Sequence, residues 1–247
     1  SNTQTTICDD SIPQVLFILT KPSGGNGIFT HQGQVRNGND WTDINGAIAP
    51  EYQPQNLIDT LSYRLISTST YGCGEVISEP YTINVYPIIQ AGTISGISPI
   101  CYNTDVSLSF STMPQGGGNS YIYQWQQSED DNNWNNISMS NISTYTTPEL
   151  VATTNYRLIV KSALGCSEDT TNTVQIAVLN PFVSGNINGD TTICYNTTPG
   201  LLVMTSNASG GMEPYSYQWQ VSTDNVNFTD ITDANDTDYL SSNLTQS

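Results

Sequence analysis

The sequence predicts an all-β chain of tandem antiparallel β-sandwich domains, and three observations predict it. The first is a period of 93 residues: it separates Cys8, Cys101 and Cys194 in turn, and also Cys73 from Cys166, Trp41 from Trp134, Leu57 from Leu150, and Tyr63-Arg64 from Tyr156-Arg157. A fixed period shared by cysteines, aromatics and loop glycines marks repeated domains. The second is the absence of helical periodicity, against short alternating runs such as 106–110 (VSLSF) that suit half-buried strands. The third is the pairing of cysteines within each repeat, Cys8 to Cys73 and Cys101 to Cys166, both 65 residues apart. The period divides the chain into 1–87, 88–180 and 181–247. The first repeat lacks its opening strand and the third stops before its closing hairpin, so the chain is expected to be a window of a longer array.

The elements follow in order through the second repeat. After strand 106–110 comes a glycine pair, Gly117-Gly118, matched by Gly24-Gly25 and Gly210-Gly211 at 16 and 17 residues past the first cysteine of each repeat. Paired glycines before a strand mark a turn that needs positive φ. A phosphate cradle would need a following lysine and a helix, and neither is present. Tyr121, Tyr123 and Trp125, repeated as Tyr215, Tyr217 and Trp219, put three aromatics on one face of a central strand. Such a set suits either core packing or a sugar-stacking platform, and recurrence at fixed offsets favours the core. The polar turn SEDDNN leads to Trp134 and Ile137, matched by Trp41 with Ile44 and by Phe228 with Ile231. A strand near Tyr145 and a closing hairpin, TTNYRLIVKS and TVQIAVL, complete the sandwich. In the first repeat the apolar run 15–19 reads as a buried strand. The segment 28–35 (IFTHQGQV) has no tryptophan, and His31 or Gln32 stands at that place.

Matched cysteines imply an oxidising compartment and one disulfide per domain, Cys8–Cys73 and Cys101–Cys166, with Cys194 left unpaired. Each would close a loop worth about 4 kcal/mol in the chain-entropy model. Trp125 lies 24 residues after Cys101, and Tyr156 lies 10 before Cys166, unlike the antibody pattern. The bridge is therefore expected at the rim of each sandwich and not between its sheets.

Twenty-two acidic residues against 5 basic ones give a formal charge of −17, which repels nucleic acid and anionic lipid. No run approaches the roughly 20 apolar residues of a membrane span, so no membrane insertion is expected. The single histidine, His31, leaves no Ser-His-Asp or Cys-His constellation, and Asp130-Asp131 lie in a turn, so neither catalysis nor a cofactor is expected. No metal site is assigned. Asp230, Asp233, Asp236 and Asp238 are the calcium candidates, with Glu129, Asp130 and Asp131 adjoining in the second repeat, but no EF-hand spacing is present. Lys21 and Lys161 are not at equivalent places, which argues against repeated Lys-Asn isopeptide clamps. Seven N-x-S/T sequons are what an Asn/Ser/Thr-rich chain holds by chance.

The motif order C-Y-N-T, G-G, Y-x-Y-Q-W-Q, S-x-D-x-x-x-W/F-x-x-I, T-Y, T-T-x-Y-R, G-C resembles the Ig-like repeats of large cell-surface proteins of Bacteroidetes. These include gliding-motility adhesins and other cargo of the type IX secretion system. The resemblance implies Ig-like sandwiches displayed outside the cell, attached to the outer membrane through the rest of the parent protein. It implies adhesion, with a surface polysaccharide or other extracellular ligand and the neighbouring repeats as partners, and no catalytic residues. The alternative is a passive stalk, or an accessory module of a secreted multidomain protein. An adhesive site should appear as an exposed aromatic or polar patch in one unit only, whereas a stalk should show the same surface on every unit.

Overall fold

A computed structural model describes residues 5–25, 27–189 and 191–245. Every regular element among them is a strand. The first repeat holds β1 (Thr5–Cys8), β2 (Leu16–Phe17), β3 (Phe29–Asn37), β4 (Asp40–Asp43), β5 (Glu51–Tyr52), β6 (Leu61–Ser69), β7 (Glu75–Ile77) and β8 (Tyr81–Tyr86). The second holds β9 (Thr93–Ser95), β10 (Ser107–Thr112), β11 (Tyr121–Ser128), β12 (Asn135–Asn136), β13 (Tyr145–Thr146), β14 (Thr154–Ser162), β15 (Glu168–Thr170) and β16 (Val174–Ile176). The third holds β17 (Asn186–Asn188), β18 (Leu202–Ser206), β19 (Gln220–Val221), β20 (Thr229–Asp230) and β21 (Asp238–Tyr239). These are tandem Ig-like, antiparallel β-sandwich domains.

Contacts gather the chain into two units whose border runs within the second repeat, through β10, β13, β14 and β16. Unit one comprises Ser1–Ser95, Ser109–Tyr145 and Tyr156–Val174; unit two comprises Gly96–Leu108, Thr146–Asn155 and Gln175–Ser247. In unit one, the first repeat forms a sheet in the order β1-β8-β6-β3-β4, with β7 also on β6, faced by the pair β2-β5. Leu57, Tyr63 and Ile83 are buried between them, with Leu16 and Tyr52 from the small sheet and Ile7, Val35 and Leu61 from the large one. The sandwich arises because alternate residues of each sheet turn inward and exclude water together. The Gly38-Asn39 tip of the β3–β4 hairpin is a two-residue loop between the paired Asn37 and Asp40, the place where positive φ is needed and Gly38 supplies it.

Two expectations change here. The run 15–19 is not buried as a whole: Leu16 and Ile18 are half-buried, whereas Val15, Phe17 and Leu19 are 42%, 65% and 83% exposed. A strand turns successive side chains to opposite faces, so an unbroken apolar run must show half of itself to solvent wherever only one face is covered. The second change concerns the missing tryptophan. Gln124 and Gln218 each donate from Nε2 to the carbonyl of the following tryptophan, Trp125 or Trp219, and to the carbonyl of Ile137 or Ile231. In the first repeat Gln32 donates in the same way to Gly33 and Ile44. Gly33, not His31 or Gln32, therefore stands in the tryptophan's place. His31 instead lies alongside Ser67, 3.0 Å from its hydroxyl.

In unit two, β17-β18-β21 form one small sheet and β19-β20 another. Trp219 is buried there against Tyr239 at 5.7 Å between ring centroids. Its indole N–H donates to the carbonyl of Asp236.

Candidate functional site

The most specific local chemistry in the chain lies where one repeat meets the next. At the first joint, within unit one, the Gly117 N–H donates to the Pro87 carbonyl at 2.7 Å, and Gln90 and Gln115 bridge in both directions. Gly116 has a φ of +78°, and a Cβ on it would run into the Ile88 carbonyl. Both its conformation and the close approach of backbone require glycine. At the second joint, within unit two, Gly211 donates to Asn180, Val183 and Ser209 bridge, and a Cβ on Gly210 would strike the Pro181 carbonyl. The clamp is thus Gly116-Gly117 and Gly210-Gly211, one residue earlier in the second repeat than the expected Gly117-Gly118. The sequence offset was misread because the third repeat carries one extra residue between Cys194 and the glycines.

Two cysteines meet at the first joint. Cys8 closes β1, opposite Tyr86, the residue just before the clamped Pro87. Cys166 lies in the β14–β15 hairpin, next to Ser167, whose hydroxyl accepts from the Ile89 N–H at 3.0 Å. From these two sides they form a disulfide, Cys8–Cys166, with Cα atoms 5.0 Å apart and a sequence separation of 158. The expected pairs, Cys8–Cys73 and Cys101–Cys166, are corrected: Cys73, Cys101 and Cys194 are single and exposed. The reason is geometric. Cys8 lies level with Tyr86, beyond Leu61 at the start of β6, and Cys73 follows Ser69 at its end. Strand β6 alone spans about 27 Å at roughly 3.3 Å per residue, against a Cα limit of about 7 Å for a disulfide. The bridge therefore sits at the rim, as expected, but joins two repeats and does not close one.

The other candidates are placed as follows. Among the described residues no group of three or more His, Cys, Asp or Glu is arranged to hold a metal ion. Asp230 accepts from the Gln220 amide, Asp236 accepts through its backbone carbonyl from the Trp219 indole, and Asp238 lies in β21 opposite Val203. In the second repeat Asp130 caps its own turn, accepting from the Asn133 and Asn132 backbone N–H groups, the Asn133 amide and the Ser128 hydroxyl. These bonds, the Asn133 backbone first, hold its carboxyl well below the ordinary carboxylate range. Asp224 makes the same turn in the third repeat with Asn227, Val226 and Ser222, with the same effect. The acidic turns are thus structural Asx turns.

Four of the five basic residues make defined contacts. Arg64 lies over the Trp41 ring at 4.3 Å and Arg157 over Trp134 at 4.1 Å. Arg36 adds a second guanidinium at 5.0 Å from Trp41. Each of Arg64 and Arg157 also donates to a neighbouring glutamine, Gln34 or Gln126. Such stacking anchors the arginines to the sheet surface. Lys161 pairs with Glu168 at 2.6 Å on the same hairpin as Cys166.

One outer face differs between repeats. Leu16 and Leu202 stand opposite Tyr52 and Tyr239 in matching strands, and Ser107 and Thr146 join by their hydroxyls in the strands between. That register aligns Val15, Phe17 and Leu19 with Ser107, Ser109 and Ser111, and with Leu201, Val203 and Thr205. All nine of these aligned residues face solvent, whereas Leu16, Leu202, Tyr52 and Tyr239 are half-buried. Sequence reading missed this face because it took the run 15–19 as core; the signal was the serine triplet at the equivalent place.

Among the described residues no helix is long and apolar enough to cross a membrane. No curated protein matches the chain. Among solved structures, domains A168–A170 of titin are similar at 13% identity and a TM-score of 0.37, covering 71% of this chain and 62% of that one. The chicken CNTN1 domains FN1–FN3 are similar at 14% identity and a TM-score of 0.32, covering 88% and 81%. The chain covers less than two thirds of the titin fragment. Over residues 1–87, 90–180 and 183–247 it matches one family three times, and it belongs to that family, described as domain of unknown function DUF8696.

Proposed function

We propose that the chain is a segment of a repetitive extracellular adhesin, its repeats presenting and spacing binding surface for attachment without chemistry of their own. The resemblance to Bacteroidetes surface repeats supplies the setting: display outside the cell, export as type IX cargo, and a part in attachment or gliding. The observation that carries the reading is a contrast along the chain. The joints are built alike, whereas the outer face changes from Val15, Phe17 and Leu19 to Ser107, Ser109 and Ser111. A passive stalk has no use for such variation; a binding array does. Spaced weak contacts sum to firm attachment because each further engagement is intramolecular.

Beads bearing the 247-residue chain, offered polysaccharide, glass and cell surfaces, test this. The triple variant V15S/F17S/L19S, which copies the second repeat's face, is expected to cut retention several-fold. Equal retention of parent, variant and an unrelated disulfide-linked sandwich array leaves the stalk as the better reading.

A further inference from the structure

The single cysteines are not scattered. Ile7 pairs in parallel with Val85 beside Cys8, and Ile100 pairs in parallel with Val178 beside Cys101. The loop after each is tied identically: Asp10 to the Leu57 carbonyl, Asn103 to Leu150, and Asn196 to Leu244 beside Cys194. Leu179 then donates to Ile100, and the next residue, Asn180, is the one clamped by Gly211. Cys101 thus stands to the second joint as Cys8 stands to the first. On the other side, Gly25 lies against Ser69 and Cys73 as Gly117 lies against Ser162, which places Cys73 where Cys166 is one repeat on.

We propose that these positions form a ladder of staples: the first cysteine of each repeat pairs with the closing-hairpin cysteine of the repeat that follows, never with its own. Where a closing hairpin follows the third repeat, its cysteine thiol would be the partner of Cys101, and where further repeats flank the chain Cys73 and Cys194 would take the corresponding partners there. The second observation behind the single cysteines is the bond already made by their equivalents, Cys8–Cys166. Each staple forms when two S–H groups lose their protons and one S–S bond is made. The two electrons pass to a disulfide donor, which is reduced to the dithiol.

The 93-residue period alone fits both pairings, since 158 is the in-repeat separation of 65 plus one period. The two diverge once a third closing hairpin is present. Tyr239 is equivalent to Tyr145 and Leu244 to Leu150, so a copy of residues 154–180 appended after Ser247 supplies that hairpin in register. Non-reducing peptide mapping of this extended chain is expected to link the added cysteine to Cys101, leaving Cys73 and Cys194 to be alkylated. A link from the added cysteine to Cys194, or no link, overturns the ladder. The full 247-residue chain with Cys166→Ser gives a second reading that does not depend on the extension folding. Cys8 is expected to become alkylatable along with Cys73, and a Cys8–Cys73 peptide from that variant would overturn the proposal as firmly.

Discussion

Repeats one and two surround the same hydrogen-bonded frame with different interiors. In both, a glutamine amide donates to the next carbonyl and to an isoleucine carbonyl, and that isoleucine's N–H donates back, Ile44 to Gly33 and Ile137 to Trp125. In repeat two the framed residue is Trp125, fully buried, stacked on Tyr145 at 5.8 Å and donating its indole N–H to the Ile142 carbonyl. In repeat one it is Gly33, and the following loop moves in. The Gly33 N–H reaches the Ala47 carbonyl at 2.7 Å, where the Trp125 N–H reaches Ser140 at 3.3 Å. Tyr52 and Tyr63, equivalent to Tyr145 and Tyr156, then pack on each other at 6.1 Å without an indole beside them. The contrast teaches that the glutamine and the backbone specify the frame, while loop approach sets the volume inside it.

The largest expected effect breaks the comparison from the large side. Trp125→Ala removes a fully buried indole and leaves the Ile142 carbonyl without its partner, so urea unfolding should register a loss of about 3–5 kcal/mol. The matching removal cannot be made in repeat one, which already lacks the ring.

A smaller effect tests the small side. A Cβ on Gly33 would lie 2.9 Å from the Ala47 Cβ, so Gly33→Ala should cost about 1–3 kcal/mol by overpacking. Adding Ala47→Gly should restore much of it. A double variant no more stable than Gly33→Ala alone would mean that Ala47 does not set the volume.

The smallest effect is a titration. Burial first, and then the neighbouring Tyr52, push the Tyr63 hydroxyl up from 10.0 to about 12. Below pH 10 the phenol is protonated whether the chain is folded or not, and its contribution to stability is whole. Between about 10 and about 12 the unfolded chain ionises more readily, so stability falls as pH rises through that window. Tyr63→Phe should flatten this alkaline decline, as followed by thermal melts at stepped pH.

Much of this fold was legible in the sequence because repetition fixes corresponding positions without knowing their contacts. The set Tyr121, Tyr123 and Trp125 could be assigned to core packing because it recurs, and Trp125 is fully buried, but Tyr121 and Tyr123 are only half-buried. The disulfide could not be assigned that way, because the bridged separation of 158 is the repeated separation of 65 plus one period of 93, and only the length of β6 excludes the shorter one. Gly33 was hidden because single-residue gaps shift the alignment either way, and only the Gln32 hydrogen bonds fix it. The apolar run 15–19 gave no alternation from which to read its exposed side.

The bridge between Cys8 and Cys166 also decides how the chain carries load. Tension entering before Cys8 crosses the sulfur–sulfur bond and leaves after Cys166, so the 158-residue stretch it spans lies outside the force path. Fully drawn out, that stretch would measure roughly 540 Å at about 3.4 Å per residue. A bridge closed within each repeat would shield separate segments and leave the joint between them to stretch. This one removes the joint from the load as well, leaving only the segments outside the bridge, among them β15 and β16, to bear the pull.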